Sequence, residues 1–169
     1  VLIYSDADWA GCTRSRRSTS GVVCMIGSHT VKTWSRTQAT VALSSAESEL
    51  GAAVKASAEA LGLIATAQEL DMRMSATVLL DSSACHGIIR RQGSGKLKHI
   101  RTQQLWVQEA AAAKRITYCK VPRELNLSDL LTHHWDAGPG ERMLSAMGCV
   151  ASEAEYEPYP CADDPCATA

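Results

Sequence analysis

The stretch from Leu43 to Leu70, "LSSAESELGAAVKASAEALGLIATAQEL", constrains this chain more than any other. Its Ala, Leu and Glu content and the spacing of its apolar positions predict one long helix. Ser44 and Glu47 form an S-x-x-E capping box, in which each side chain satisfies a backbone donor at the helix start. Glu47 then shares its arc with Gly51, Lys55 and Gly62, a solvated face. Glu49 differs, because its neighbours at helical spacing are Ala46, Ala52, Ala53, Ala56 and Ala60, all small and apolar. That face points toward a sheet. A carboxylate carried into such a contact is costly unless it is paired, hydrogen-bonded or bound to a metal. Glu49 therefore predicts partners on other elements.

Those elements can be read from the flanking pattern. "VLIYSDADW" alternates and is β-rich, so it reads as a strand. "TSGVVCMIG" and "TVKTWS", separated by "SHT", read as two more strands joined by a tight turn, giving three antiparallel strands at the start. "SATVLLD" is a short buried strand, and "SSACHGIIRRQ" a helix capped by Ser82 or Ser83. "GSGK" breaks that helix; "HIRTQQLWVQEAAAAKR" reads as another, "ITYCKV" as a fifth strand and "NLSDLLTHHW" as a short helix. The order βββ-α-β-α-α-β-α specifies an α/β fold, a five-stranded mixed sheet with helices on both faces. Residues 1–137 form this domain and 138–150 a C-terminal extension, with order decaying after Gly138. Residues 151–169, acidic and bearing Pro and Ala, read as a disordered tail.

Three aspartates are candidate partners for Glu49. Asp6 lies in the first strand on the parity of Leu2 and Tyr4, in competition with Asp8. Asp81 closes the apolar run Val78-Leu79-Leu80, at the carboxyl edge where open α/β sheets place ligands. Asp129 sits in the first turn of the last helix. Asp6, Glu49, Asp81 and Asp129, on four elements, could converge on one edge and hold hard divalent cations through oxygen. Two simpler roles stay open: Asp81 as a cap for the following helix, and Asp129 as a dipole-favoured carboxylate with Asn126 as cap.

The remaining composition narrows the class. The 169 residues suffice for one domain with a real core and a short appendage. The chain begins at Val1, inside a strand-like run, as a segment of a longer polypeptide would. No apolar run approaches the ~18 residues of a membrane span, so no membrane partner is expected. Seven cysteines, never spaced as CxxC, argue against a zinc ribbon or a disulfide framework and for reduced thiols inside the cell. The net charge of −1 is uneven: removing the tail acids Glu153, Glu155, Glu157, Asp163 and Asp164 leaves 17 basic against 13 acidic residues. Arg90, Arg91, Lys96, Lys98, His99 and Arg101 are the densest basic stretch and the candidate phosphate contacts. Trp9, Trp34 and Trp106 read as packing residues.

"YSDADWAG", "RRSTSG", "TVALSSAESEL", "LLDSSA", "KHIRTQQLWVQE" and "SDLLT" occur in this order over residues 2–134. In this the chain resembles the ribonuclease H domain that follows the reverse transcriptase in Ty1/copia-type retrotransposon polyproteins. The resemblance implies an RNase H-like fold and hydrolysis of the RNA strand of an RNA/DNA hybrid, leaving 5′-phosphate and 3′-hydroxyl ends. It also implies two Mg²⁺ ions (Mn²⁺ substituting) about 4 Å apart on either side of the scissile phosphate. The family's acidic residues fall on Asp6, Glu49, Asp81 and Asp129, with Asp6 bridging both ions; the match favours Asp6 over Asp8. The implied partners are the hybrid and the reverse transcriptase domain of the same polyprotein, and the implied location is intracellular, in a cytoplasmic virus-like particle or the nucleus.

The chain departs from the pattern in two ways. Related enzymes carry a mobile histidine before the last aspartate, where this chain reads "VPRELNLSD". Copia relatives usually show Lys at the position of His133 and an aromatic at that of Leu50. His133 and His134 lie one turn past Asp129 and could approach the site, although a solvated or helix-terminal role is expected. Two other readings remain. One is a catalytically decayed remnant that binds nucleic acid or supports the neighbouring polymerase. The other is a DNA-cutting nuclease or integrase of the same fold, which the three strands before "SSAESEL" fit poorly.

Overall fold

The computed structural model describes residues 1–95, 100 and 104–149. Alternating sequence in the first third folds into β1 (Leu2–Ala7), β2 (Thr19–Ile26) and β3 (His29–Thr37), an antiparallel meander. Between β2 and β3 the loop is only Gly27 and Ser28, with Gly27 at φ +60°, the left-handed backbone such a turn requires. After the long helix α1 (Ser45–Glu69), β4 (Thr77–Leu80) returns beside β1 in parallel. Helices α2 (Ser83–Arg90) and α3 (Trp106–Ala112) follow, and β5 (Thr117–Lys120) pairs in parallel with β4. The sheet order is β3-β2-β1-β4-β5, the mixed five-stranded sheet that the sequence predicts. Of the predicted helix "HIRTQQLWVQEAAAAKR", the described residues contain α3; residues 96–99 and 101–103 lie outside them.

The capping box at the start of α1 is present. Glu47 N donates to Ser44 Oγ at 3.2 Å, and Leu43 N donates to Glu47 Oε2 at 2.7 Å. By length and composition alone α1 could cross a membrane, but its apolar face is core. Leu50, Ala53, Ala56 and Ala60 are fully buried against Ile3, Val22, Val78 and Leu80. Alanines along this face let the helix backbone approach the sheet closely.

A smaller core covers the opposite face, where Val23 and Met25 meet Leu127, Met143 and Met147. The two methionines belong to α4 (Ala137–Ala146) and its C-cap, an ordered helix where decay of order was expected after Gly138. The run "AGPGERM" looks like a breaker, but Pro139 falls in the first helical turn, whose N–H groups have no intrahelical acceptors. Met143 and Met147, four apart, then supply the buried stripe. The tail 151–169 lies outside the described residues.

Trp9 is not a packing residue: it is 54% exposed, and its indole N–H donates to Ala42 O at 3.0 Å. Trp106 is half-buried against the larger core, as expected. Trp34 is half-buried with the Lys55 ammonium 5.8 Å from its ring centroid.

Candidate active site

Four elements deliver carboxylates to one end of the sheet. Asp6 is the penultimate residue of β1 and 2% exposed. Asp81 follows β4 directly, Glu49 lies in the second turn of α1, and fully buried Asp129 lies in a 3₁₀ segment, Leu127–Leu131. One carboxylate oxygen from each of Asp6, Glu49 and Asp81 lies within 4.8 Å of the other two. Asp6 and Asp129 meet on the same terms with His133 Nδ1 as the third atom. The four acids singled out by sequence are thus brought together, with Asp6 common to both groups. Asp8 takes a different part, accepting a hydrogen bond from Thr19 N where β1 and β2 separate.

Local structure explains how each is held. Glu49 is fixed through its neighbour: Gln38 Nε2 donates to Ser20 Oγ at 2.9 Å and to Ser48 O at 2.8 Å, tying α1 to β2. Asn126, fully buried, donates to Ser5 O at 3.1 Å and accepts from Ser128 Oγ at 2.7 Å. Its side chain also favours the charged form of Asp81, so it links β1, the end of β4 and the 3₁₀ segment. Gly21, opposite Asp6 in the β1–β2 register, leaves room for that segment: a Cβ there would lie 2.8 Å from Ser128 O and 2.9 Å from Thr132 Cγ2. Thr132 donates its hydroxyl to Asp6 Oδ2.

The electrostatics are those of crowded acids. Burial, then the neighbouring carboxylates, raises Glu49 to about 9. Burial also raises Asp6 to about 6, against the hydrogen bond from Thr132. Asp81 is raised by burial and by Asp129. Arg123 Nε sits 3.2 Å from Asp129 Oδ2, and this contact raises the guanidinium further. Two buried carboxylate oxygens, Glu49 Oε2 and Asp129 Oδ1, accept no hydrogen bond. Buried, mutually repelling and unsatisfied carboxylates are the donor set a hard divalent cation stabilises, so the residues present fit such an ion.

Sequence reasoning missed two participants, Arg123 and Asn126 as a tie, and ranked a third, His133, as the lesser possibility. His133 remains exposed, yet its Nδ1 stands 2.9 Å from Asp129 Oδ1 and 3.6 Å from Asp6 Oδ2, so it also approaches the site. The i, i+4 spacing of Asp129 and His133 was the available signal. His134 is exposed too, as expected, with no ion pair to the acids among the described residues.

Of the basic stretch, exposed Arg90 closes α2, while Arg91 donates to Ser94 O at 2.6 Å and braces the "GSG" turn. Lys96, Lys98, His99 and Arg101 lie outside the described residues. All five described cysteines are free thiols.

No family model matches this chain. Among curated proteins it is 52% identical over 60 residues to the secreted RxLR effector protein 161 of Plasmopara viticola, covering 36% of this chain and 42% of that one. It is 28% identical over 131 residues to the retrovirus-related Pol polyprotein from transposon TNT 1-94 of Nicotiana tabacum, covering 76% of this chain and 10% of that one. The chain thus spans less than half the length of these relatives. Among solved structures it resembles RNase H1 of the archaeon Halobacterium salinarum (TM-score 0.56, 17% identity, 78% of this chain and 93% of that one). It also resembles LC11-RNase H1, solved in complex with an RNA/DNA hybrid (TM-score 0.51, 20% identity, 78% and 92%).

Proposed function

We propose, on the premise that this chain is a homologue of the retrovirus-related Pol polyproteins of Ty1/copia transposons and has the RNase H fold, that it cleaves the RNA strand of RNA/DNA hybrids. The observation that carries this reading is the convergence of Asp6, Glu49, Asp81 and Asp129, with two buried carboxylate oxygens left unsatisfied. Divalent cations held there, Mg²⁺ or Mn²⁺, would supply Lewis acidity for attack of water on a phosphodiester and for departure of the 3′ oxygen.

The chain's own residues divide the work. Asp6 belongs to both groups of ligand atoms and would be the carboxylate they share, its orientation set by the Thr132 hydroxyl. Glu49 and Asp81 complete one group and Asp129 the other. Asn126 keeps Asp81 at a fixed height above β1, and Arg123 offsets the negative charge that would otherwise repel a phosphate. Helix α2 begins two residues after Asp81 and ends at Arg90, so its eight residues at 1.5 Å rise carry the backbone of Arg90 roughly 12 Å along the helix from its start. From there its guanidinium would contact the hybrid backbone a few nucleotides from the cleaved bond, with RNA distinguished through its 2′-hydroxyls.

The relatives carry this region as a small part of a long polyprotein, which supports a reverse transcriptase domain as covalent partner; an intracellular site of action, in virus-like particles or the nucleus, is proposed with it. The test is cleavage of a labelled hybrid in Mg²⁺ or Mn²⁺, with Asp81→Asn as control and single-stranded RNA and duplex DNA alongside. Cutting confined to the hybrid's RNA strand, lost in the variant and leaving 5′-phosphate ends, is the expected result. Hybrid binding by a folded protein without cutting would overturn it in favour of a binding remnant.

A further inference from the structure

Within the acidic cluster, the two groups of potential ligand atoms differ in kind. Glu49, Asp81 and Asp6 offer only oxygen, whereas Asp6, Asp129 and His133 offer two oxygens and an imidazole nitrogen. From the latter group we infer that His133 is a metal ligand, and that the Asp6–Asp129–His133 group selects a first-row transition-metal dication, such as Mn²⁺, over Mg²⁺.

Three features carry this assignment, which rests on the cation-dependent reading above. First, the spacing suits a common ion. Adjacent ligands on an octahedral dication about 2.1 Å away stand about 3 Å apart. His133 Nδ1 is 2.9 Å from Asp129 Oδ1 and 3.6 Å from Asp6 Oδ2. Second, Asp129 Oδ1 has no hydrogen bond although its side chain is fully buried. A cation between it and His133 Nδ1 satisfies both. Third, Nδ1 lies 2.9 Å from Thr132 Oγ1, whose proton is directed to Asp6 Oδ2. That edge of the ring therefore faces both carboxylates, and Nδ1 can ligate a cation there in the tautomer that carries the ring proton on Nε2.

The chemical consequence follows from ligand type. Mg²⁺ is a hard ion that favours oxygen donors and retains water, while imidazole binds transition-metal dications well. Replacing one oxygen by nitrogen tilts this half of the site toward the latter, and the oxygen-only half keeps no such preference.

The test uses Mn²⁺ alone with the 169-residue chain. Pulsed electron paramagnetic resonance of the Mn²⁺-loaded protein should show ¹⁴N modulation from a coordinated imidazole. That modulation should vanish in His133→Gln and persist in His134→Gln. In His133→Gln the ratio of Mn²⁺ to Mg²⁺ affinity should fall by at least about tenfold, the lower end of the loss seen when even an outer partner of a ligand is removed. Mn²⁺ bound without ¹⁴N modulation in the unaltered chain, or modulation surviving in His133→Gln, overturns the role of His133 and leaves the carboxylate site standing. Failure of Mn²⁺ to bind at all overturns both.

Discussion

Glu49→Gln should make this protein more stable at neutral pH in the absence of divalent cations. Burial and three neighbouring carboxylates raise Glu49 from 4.5 to about 9. A carboxyl whose folded-state value is raised binds more protons in the native than in the unfolded chain. Its contribution is therefore fully present below 4.5 and lost as pH rises toward 9. At pH 7 the native side chain keeps its proton while the unfolded one has released it. Over that interval, at 1.36 kcal/mol per unit, the loss is about 3 kcal/mol. Glutamine preserves the shape and the neutral hydrogen-bonding capacity without the proton linkage. Urea melts in EDTA should find Glu49→Gln about 3 kcal/mol more stable than the parent at pH 7, and no more than marginally different at pH 4. Saturating Mn²⁺ should narrow or reverse the gap, because the parent gains binding free energy through its carboxylate and the variant gains less. A variant destabilised equally at both pH values and indifferent to Mn²⁺ would show Glu49 to be a structural residue, and the reading of the site would fall.

Further consequences are open to measurement. Cation affinity should rise steeply between about pH 6 and pH 9, since Asp6 and Glu49 must shed protons to bind; calorimetry in buffers of different ionisation enthalpy should detect that release, and its absence would contradict the raised values. Gly21→Ala should cost about 1–3 kcal/mol by overpacking against Ser128 and Thr132, and should abolish hybrid cleavage by displacing Asp129. Gly87→Ala, a helical position where the added Cβ meets nothing, should instead gain roughly 0.5–1 kcal/mol and serve as the control. Asn126→Ala should lower stability by roughly 1–3 kcal/mol, because it strands the buried Ser5 carbonyl and the Ser128 hydroxyl. An unchanged urea midpoint would mean that these groups find other partners.

The fold was legible wherever one period ruled a segment. Alternation identified β1, a β-rich apolar run identified β2, and an apolar arc of alanines identified α1 and the face it buries. It failed at α4, where Gly138, Pro139 and Gly140 carry strong breaking signals that a first helical turn happens to tolerate. What orders those residues is tertiary: Met143 and Met147 find Val23 and Met25 on the far face of the sheet, a contact between segments more than 100 positions apart. Local pattern holds no information about that pairing.

The site divides along the same line. Glu49 was legible because a lone acid among alanines is a local anomaly that demands an explanation, and Asp81 because it ends an apolar strand. Arg123 and Asn126 announce nothing locally: one is an exposed arginine after a proline, the other an ordinary cap candidate. Their importance arises only when the 3₁₀ segment is laid against β1 through the space left by Gly21. His133 falls between these cases. Its spacing from Asp129 was visible, but whether a surface histidine turns inward depends on the turn that follows. Here His133 N donates to Asp129 O at 3.0 Å, which folds the backbone back over the aspartate and carries the ring with it. A sequence can therefore announce which charges must meet, while the neutral and cationic groups that make the meeting tolerable are fixed by packing.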